Sequence, residues 1–349
     1  MVFSECATLT SVKWRAGIQG VLDVSAATLW ALYRRLLLYE RDVAAAVREY
    51  VTQAYARGGS IGARAFFRCS ALTTIQLSPA LTRINEEAFG QCAALTALHL
   101  PDSVAHIGDY AFARCEGLTL VTFGGRVAHI GRRAFFGCSK LATVELPDSV
   151  SHLGGGAFYM CTGLTEARLP SSLARIGDYV FGGANRLEAV ALPESVTAMG
   201  KGAFLASGLR AVIIPPKVKV IDGFTFAHCS ALTEVTLPDR LTRIDRAAFT
   251  QCVNVQRLRL PSNLLFIGAF AFSGCVRLES AVLPSHLLVI AGGAFTDCCR
   301  LKGVSLPDAV LHVGEDAFKG CPVADTLLDA AKQRTLPFHL LDATQRALR

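Results

Sequence analysis

The chain has 349 residues, of which 52% are hydrophobic and only 18% charged, with a net charge of +7. This composition excludes a disordered chain and predicts an extensive apolar core. No apolar run approaches the roughly 20 residues a membrane helix needs, and the mild positive charge favours an acidic partner without identifying one.

The opening residues, MVFSECATLTSVKWRAG, lack the basic stretch, apolar run and cleavage site of a secretory signal. None of Asn85, Asn185, Asn254 and Asn263 opens an N-x-Ser/Thr sequon. At face value this is an intracellular protein, the cytoplasm being favoured. Phe3, Cys6, Leu9, Val12 and Trp14 have a spacing that recurs downstream, so residues 1–14 read as a partial first repeat. From Trp14 to Ile61 is 47 residues where later repeats allow 7, so about 40 residues are inserted.

Most of this inserted segment, 15–57, predicts one helix over about 25–57: Ser25 is a fitting N-cap, and neither Gly nor Pro intervenes before Gly58. Leu29, Tyr33, Leu36, Val43, Val47, Tyr50 and Ala54 make an apolar stripe broken by Glu40, with Arg34, Arg35, Arg41 and Arg48 opposite. Two readings stand. The helix caps the array that follows, or it docks a partner through Tyr33, Arg34, Arg35 and Arg41.

Residues 58–322 are one repeat array. Phe66, Phe89, Phe112, Phe135, Phe158, Phe181, Phe204, Phe226, Phe249, Phe272, Phe295 and Phe318 follow one another at 23 residues, once at 22. Five positions before each Phe is an apolar residue, usually Ile; four before it is Gly in eight units, and Asn85, Asp222, Asp245 or Ala291 in the others. Gly, Asn and Asp best tolerate a left-handed backbone, so a tight turn is expected at that position. A strand signature, L-x-x-V-x-L, follows each Phe (Leu141, Val144, Leu146), and Pro ends it in nine units. One unit is then a short strand, a Pro turn, a return segment ending in Ile-Gly and a short helical turn holding Ala-Phe. No unit can bury its own apolar residues; stacking at ~4.8 Å buries them in continuous ladders. The short unit loses its residue in the loop before Leu209, which predicts unbroken strand register.

The run Leu141 to Cys161, LATVELPDSVSHLGGGAFYMC, resembles the BspA-like leucine-rich repeats, and copies of it fill about residues 58–322. The resemblance implies a leucine-rich-repeat solenoid of about twelve stacked units with parallel strands. It also implies binding roles: some members mediate adhesion at cell surfaces, others are intracellular, and none brings a catalytic motif. Separately, Leu32-Tyr33-Arg34 followed by Arg35-Leu36-Leu37 resembles the opening of LYR-motif adaptors. That likeness spans about six residues, and the insertion has room for one long helix where those adaptors have three.

Ten of the twelve cysteines fall three residues after the Phe, where Ala184 and Ser207 stand in two other units, and there is no C-x-x-C pair. The position predicts a buried small residue rather than a metal ligand or disulfide, and unpaired thiols fit a reducing compartment. The position before the Ile forms a basic column: Arg83, His106, His129, His152 and Arg175, then Arg243 and His312 after an apolar break. It reads as solvated polar surface, as an exposed stripe for an acidic protein or a nucleic acid with binding that strengthens as pH falls near ~6.5, or as three stacked histidines for a metal, although no carboxylate or Cys column adjoins them. The outward strand column, Gln76 through Ser305, is chemically mixed and gives nucleic acid no platform. P-loop, G-x-S-x-G, H-E-x-x-H and dinucleotide motifs are lacking, so no catalytic residue, cofactor or metal is assigned. Residues 323–349 predict a C-terminal helical cap, two short amphipathic helices parted at Pro337. The expected function is a non-enzymatic protein-interaction scaffold, a subunit or adaptor of an assembly; a surface adhesin, or an adaptor using the Leu32-Tyr33-Arg34 helix, are the alternatives.

Overall fold

In the computed structural model, residues 11–12, 59–325 and 327 are described. The expected helix over about 25–57, its LYR-like segment and most of the C-terminal cap lie outside the described residues. The chain divides into two compact units, Met1–Leu164 and Thr165–Arg349. Both are parallel β-solenoid, each coil carrying one or two strands of two or three residues.

In the first unit, Ser60–Ile61, Arg83–Ile84, His106–Ile107, His129–Ile130 and His152–Leu153 form one five-stranded sheet, each residue pairing with the residue 23 positions on. The other strand column includes Ala97–His99 paired with Leu120–Thr122. Its middle residues, Leu98 and Val121, are buried and the flanking ones face outward, the period-2 alternation of a half-buried strand. Ser11–Val12 pairs in parallel with Thr74–Ile75, Val12 opposite Ile75.

Behind these strands runs the phenylalanine ladder. Phe66, Phe89, Phe112, Phe135 and Phe158 stack with ring centroids 4.9 to 5.3 Å apart and planes within 8° of parallel. Burying each ring stabilises the fold by roughly 1.5–3 kcal/mol, and the stacking adds about 0.5–1.5 kcal/mol.

The segment around each Phe, expected as a short helical turn, is a chain of turns. Residues two before and two after the Phe are left-handed in every coil from Phe66 to Phe318; many are not glycine, as with Arg64, Tyr110, Arg114 and Met160. Alternate amides close i→i−3 turns, as Gly90 N–H does on Glu87 O at 3.0 Å. The others donate to the next coil: Glu87 to Asp109 O at 2.9 Å, Phe89 to Ala111 O at 2.7 Å, Gln91 to Ala113 O at 2.7 Å. Each left-handed non-glycine residue costs about 1–2 kcal/mol. The ring ladder and these inter-coil bonds offset it.

The glycine before that segment has a different reason from the one its residue type suggests. Left-handed backbone falls two residues either side of the Phe, not four before it. The glycine is there because the preceding coil is too close for a side chain. A Cβ on Gly131 would sit 2.6 Å from Asp109 N and from Gly108 C, and one on Gly108 would sit 2.7 Å from Asn85 C. At Gly62, in the first of these coils, nothing lies within 4 Å.

In the second unit, Arg175–Ile176 pairs with Ala198–Met199, and a five-stranded sheet runs from Val220–Ile221 through Arg243–Ile244, Phe266–Ile267 and Val289–Ile290 to His312–Val313. Across the short repeat the strand that follows the Phe keeps its register: Arg210 N–H donates to Glu188 O at 3.1 Å, as Thr233 does to Arg210 O at 2.8 Å one coil on. Sheet pairing stops at Ala198–Met199 and restarts at Val220–Ile221. The ring ladder does not stop, Phe204 stacking on Phe226 at 5.5 Å and 3°. The missing residue thus interrupts the pairing of the Ile strands and leaves the Phe column stacked.

Candidate binding strip and thiol ladder

Because the two-residue strands pair in register, the residue before the Ile of each coil stands beside its counterpart in the next. In the first unit this brings Arg83, His106, His129 and His152 into one column. The imidazoles stack face to face: His106 on His129 at 4.2 Å and 8°, His129 on His152 at 4.3 Å and 1°. Arg83 and His152 are exposed; His106 and His129 are half-buried. Arg175, in the second unit, is exposed on its own strand beside Ala198.

The column is therefore not the fully exposed basic stripe expected. Burial pushes His129 down to about 4, helped by the charges of His106 and His152 and opposed by Asp109. Burial also lowers His106, followed by the Arg83 charge. Both rings are neutral near pH 7, so in the first unit Arg83 is the arginine at the end of the strip. The response of His129 to pH therefore belongs well below the ~6.5 of a free imidazole. Arg243 and His312 leave the strip altogether: both are buried. Arg243 donates to Asp245 Oδ1 and lays its guanidinium over Phe266, 4.3 Å from the ring centre.

Stacked rings cannot share a metal ion. Their lone pairs run parallel, whereas bonds of about 2.0–2.1 Å need them to converge. Among the described residues no group of three or more His, Cys, Asp or Glu is placed to hold a metal.

The cysteines build a second ladder with chemistry of its own. The ten at the repeat position are buried and in no disulfide. Nine donate S–H to the carbonyl of the Phe one coil back and three residues on, as Cys115 does to Phe89 O at 3.2 Å, Cys138 to Phe112 O at 3.3 Å and Cys252 to Phe226 O at 3.1 Å. That carbonyl also accepts the amide of its own coil's Cys, as Phe89 O does from Cys92 N at 3.2 Å. Burial pushes the Cys92, Cys161 and Cys275 thiols up to about 12, removing them from thiolate chemistry. The sequence marks the site as small; it does not show the donor, although Ser207 at the same position hints at one.

Sequence reasoning also passed over the turn face of the first unit. Arg64 lies over Phe67 at 4.2 Å, and Arg133 stands 5.9 Å from Tyr110 and 5.8 Å from Phe136. Its signal was in the chain, as Arg and aromatic residues recurring beside the ladder Phe. Tyr33, Arg34, Arg35 and Arg41, the other candidates for partner binding, lie outside the described residues.

A family model for the BspA type leucine-rich repeat region matches residues 56–164, 107–232 and 197–325. The chain belongs to the BspA-type leucine-rich repeat family. Among solved structures it is similar to a leucine-rich repeat protein from Bacteroides ovatus, at 26% identity and a TM-score of 0.56, over 75% of this chain and 80% of that one. It also shares its fold with the pneumococcal vaccine antigen PcpA, at 21% identity and a TM-score of 0.53, over 74% of this chain and 71% of that one. No curated protein matches it. The BspA-type repeats, with the Bacteroides ovatus structure, support a protein-interaction repeat scaffold. Among the described residues no helix is long and apolar enough to cross a membrane.

Proposed function

We propose that this BspA-type solenoid is a non-enzymatic subunit or adaptor of a larger assembly. Its partner-facing strip is Arg83, His106, His129 and His152, which takes an acidic protein segment; Arg175, on the second unit, is a separate candidate contact. The observation that carries the reading is the in-register column of Arg83, His106, His129 and His152 across one sheet, with Arg83 and His152 exposed. A solenoid repeats one position at ~4.8 Å, so a single chemistry on one column is how such a fold makes an extended site. The buried thiols, in no disulfide, fit a reducing compartment, which supports an intracellular setting.

The test is affinity capture with the full chain, comparing wild type with Arg83→Ala, Arg175→Ala and their combination at two salt concentrations. Partners held by the strip are lost from the double variant and weakened by salt. Their retention at wild-type levels overturns the strip. Deleting residues 25–57 in parallel shows whether the N-terminal segment, with Tyr33, Arg34, Arg35 and Arg41, carries the docking. Protease treatment of intact cells separates an intracellular protein from a surface adhesin.

A further inference from the structure

We propose that the stacked imidazoles of His106, His129 and His152 form an acid-opened latch on the first unit. Neutral rings hold three consecutive strands together, and protonation of the stack drives those strands apart. The latch is a property of the fold and needs no partner, so it stands or falls separately from the binding strip.

The geometry carries the argument. Three rings 4.2 and 4.3 Å apart, with planes within 8°, pack well only while uncharged. A proton on one ring opposes a proton on the next across a half-buried contact that water screens poorly. The charged groups facing the rings are Arg83, on the strand before His106, and Asp109, in the turn after it. Arg83 adds to the repulsion. Among the described residues the Asp109 carboxylate is the counter-charge that acts on the rings, and it already accepts the Arg132 amide at 2.7 Å. The strands themselves are two residues long. A few bonds tie them together: His129 N–H to Ala105 O at 3.1 Å, Gly131 to Ile107 O at 2.8 Å, His152 to Ala128 O at 3.1 Å and Gly154 to Ile130 O at 2.8 Å. The burial that lowers His106 and His129 sets the opening below the ordinary histidine range.

The corresponding amides of the second unit, Gly268 to Ile244 O at 2.7 Å and Ala291 to Ile267 O at 2.9 Å, lie beside Phe266 and Val289 and serve as an internal reference. The experiment is amide hydrogen exchange on the full chain, corrected for intrinsic rates, at about pH 6.5 and about pH 4. Opening at His129, Gly131, His152 and Gly154 should rise by about tenfold or more over the reference amides. His106→Gln/His129→Gln/His152→Gln together should abolish the difference. An equal response in both units, or one that survives the glutamines, overturns the latch. If the triple variant does not fold, imidazole titration in the wild type decides. A His129 midpoint well below ~6.5 that depends on its neighbours supports the latch, and independent titration near ~6.5 overturns it.

Discussion

The glycine four residues before each ladder Phe offers a direct test of how the coils pack. Gly62 and Gly131 hold the same repeat position, and neither has a left-handed backbone. A methyl at Gly62 meets nothing within 4 Å, whereas at Gly131 it falls 2.6 Å from Asp109 N, Asp109 Oδ1 and Gly108 C. Ordinary contact begins near 3.4 Å, so Gly131→Ala requires a shift of about 0.8 Å by backbone that has no rotamer to change. Parting the coils that far would stretch the Gly131 N–H to Ile107 O bond from 2.8 Å beyond useful length. Overpacking costs about 1–3 kcal/mol and the bond about 1 kcal/mol, so a loss of about 2–4 kcal/mol is expected. Gly62→Ala, by restricting the unfolded chain, should be neutral or stabilising by up to about 1 kcal/mol. Urea unfolding followed by circular dichroism measures both, with m values compared to check that the variants unfold alike. If the two substitutions shift stability by the same amount, close packing between coils is not the reason for the glycine.

Three further outcomes are expected. A thiol reagent at pH 8 should modify exposed Cys299 and leave the ten ladder thiols intact until denaturant is added; mass spectrometry showing Cys138 labelled in the native protein would contradict the buried S–H bonds. Met160→Gly removes a side chain from a backbone at φ 60°, and should raise the urea midpoint by an amount equivalent to about 0.5–1 kcal/mol. His129 is held neutral in the fold, at about 4, so its contribution to stability is complete above ~6.5 and is lost as pH falls toward 4. Allowing for a partly solvated ring, the loss is about 1–2 kcal/mol. A stability profile that is flat between those values, or identical in His129→Gln, would rule it out.

Much of this architecture was legible because a repeat multiplies every signal. The ladder phenylalanines, the Ile before the glycine and the buried cysteines each recur too often to be local accidents, and each occupies one column in the fold. The left-handed residues were not legible. They are Arg, Glu, Gln, Tyr, Met, Ala, Phe, His and Asp as well as Gly, and their conformation follows from amides reaching the next coil rather than from their own preference. The glycine misled for the related reason that its role depends on a neighbour 23 residues away. For the strip, the sequence placed Arg83, His106, His129 and His152 together. It could not show that stacking and burial would keep His106 and His129 uncharged, or that Arg243 and His312 would be enclosed.

The alternating turn segment gives each coil a polarity. Within the first unit, the amides of Arg64, Phe66 and Arg68 all point to the later coil, as do those of Tyr110, Phe112 and Arg114; in the second, those of Phe224, Phe226 and His228 do the same. In these turn segments each coil thus shows acceptors on one side and donors on the other, the reverse of the strand bonds, where amides such as that of Gly131 donate to the earlier coil. A coil can be joined in one sense only. At the last coil the amides of Asp316, Phe318 and Gly320 have no later coil among the described residues, and these residues line a cleft of about 310 Å³ with Val313 and Leu327. Whatever closes that end must bring oxygen atoms to it, and a segment that presents its own N–H groups there would not seat.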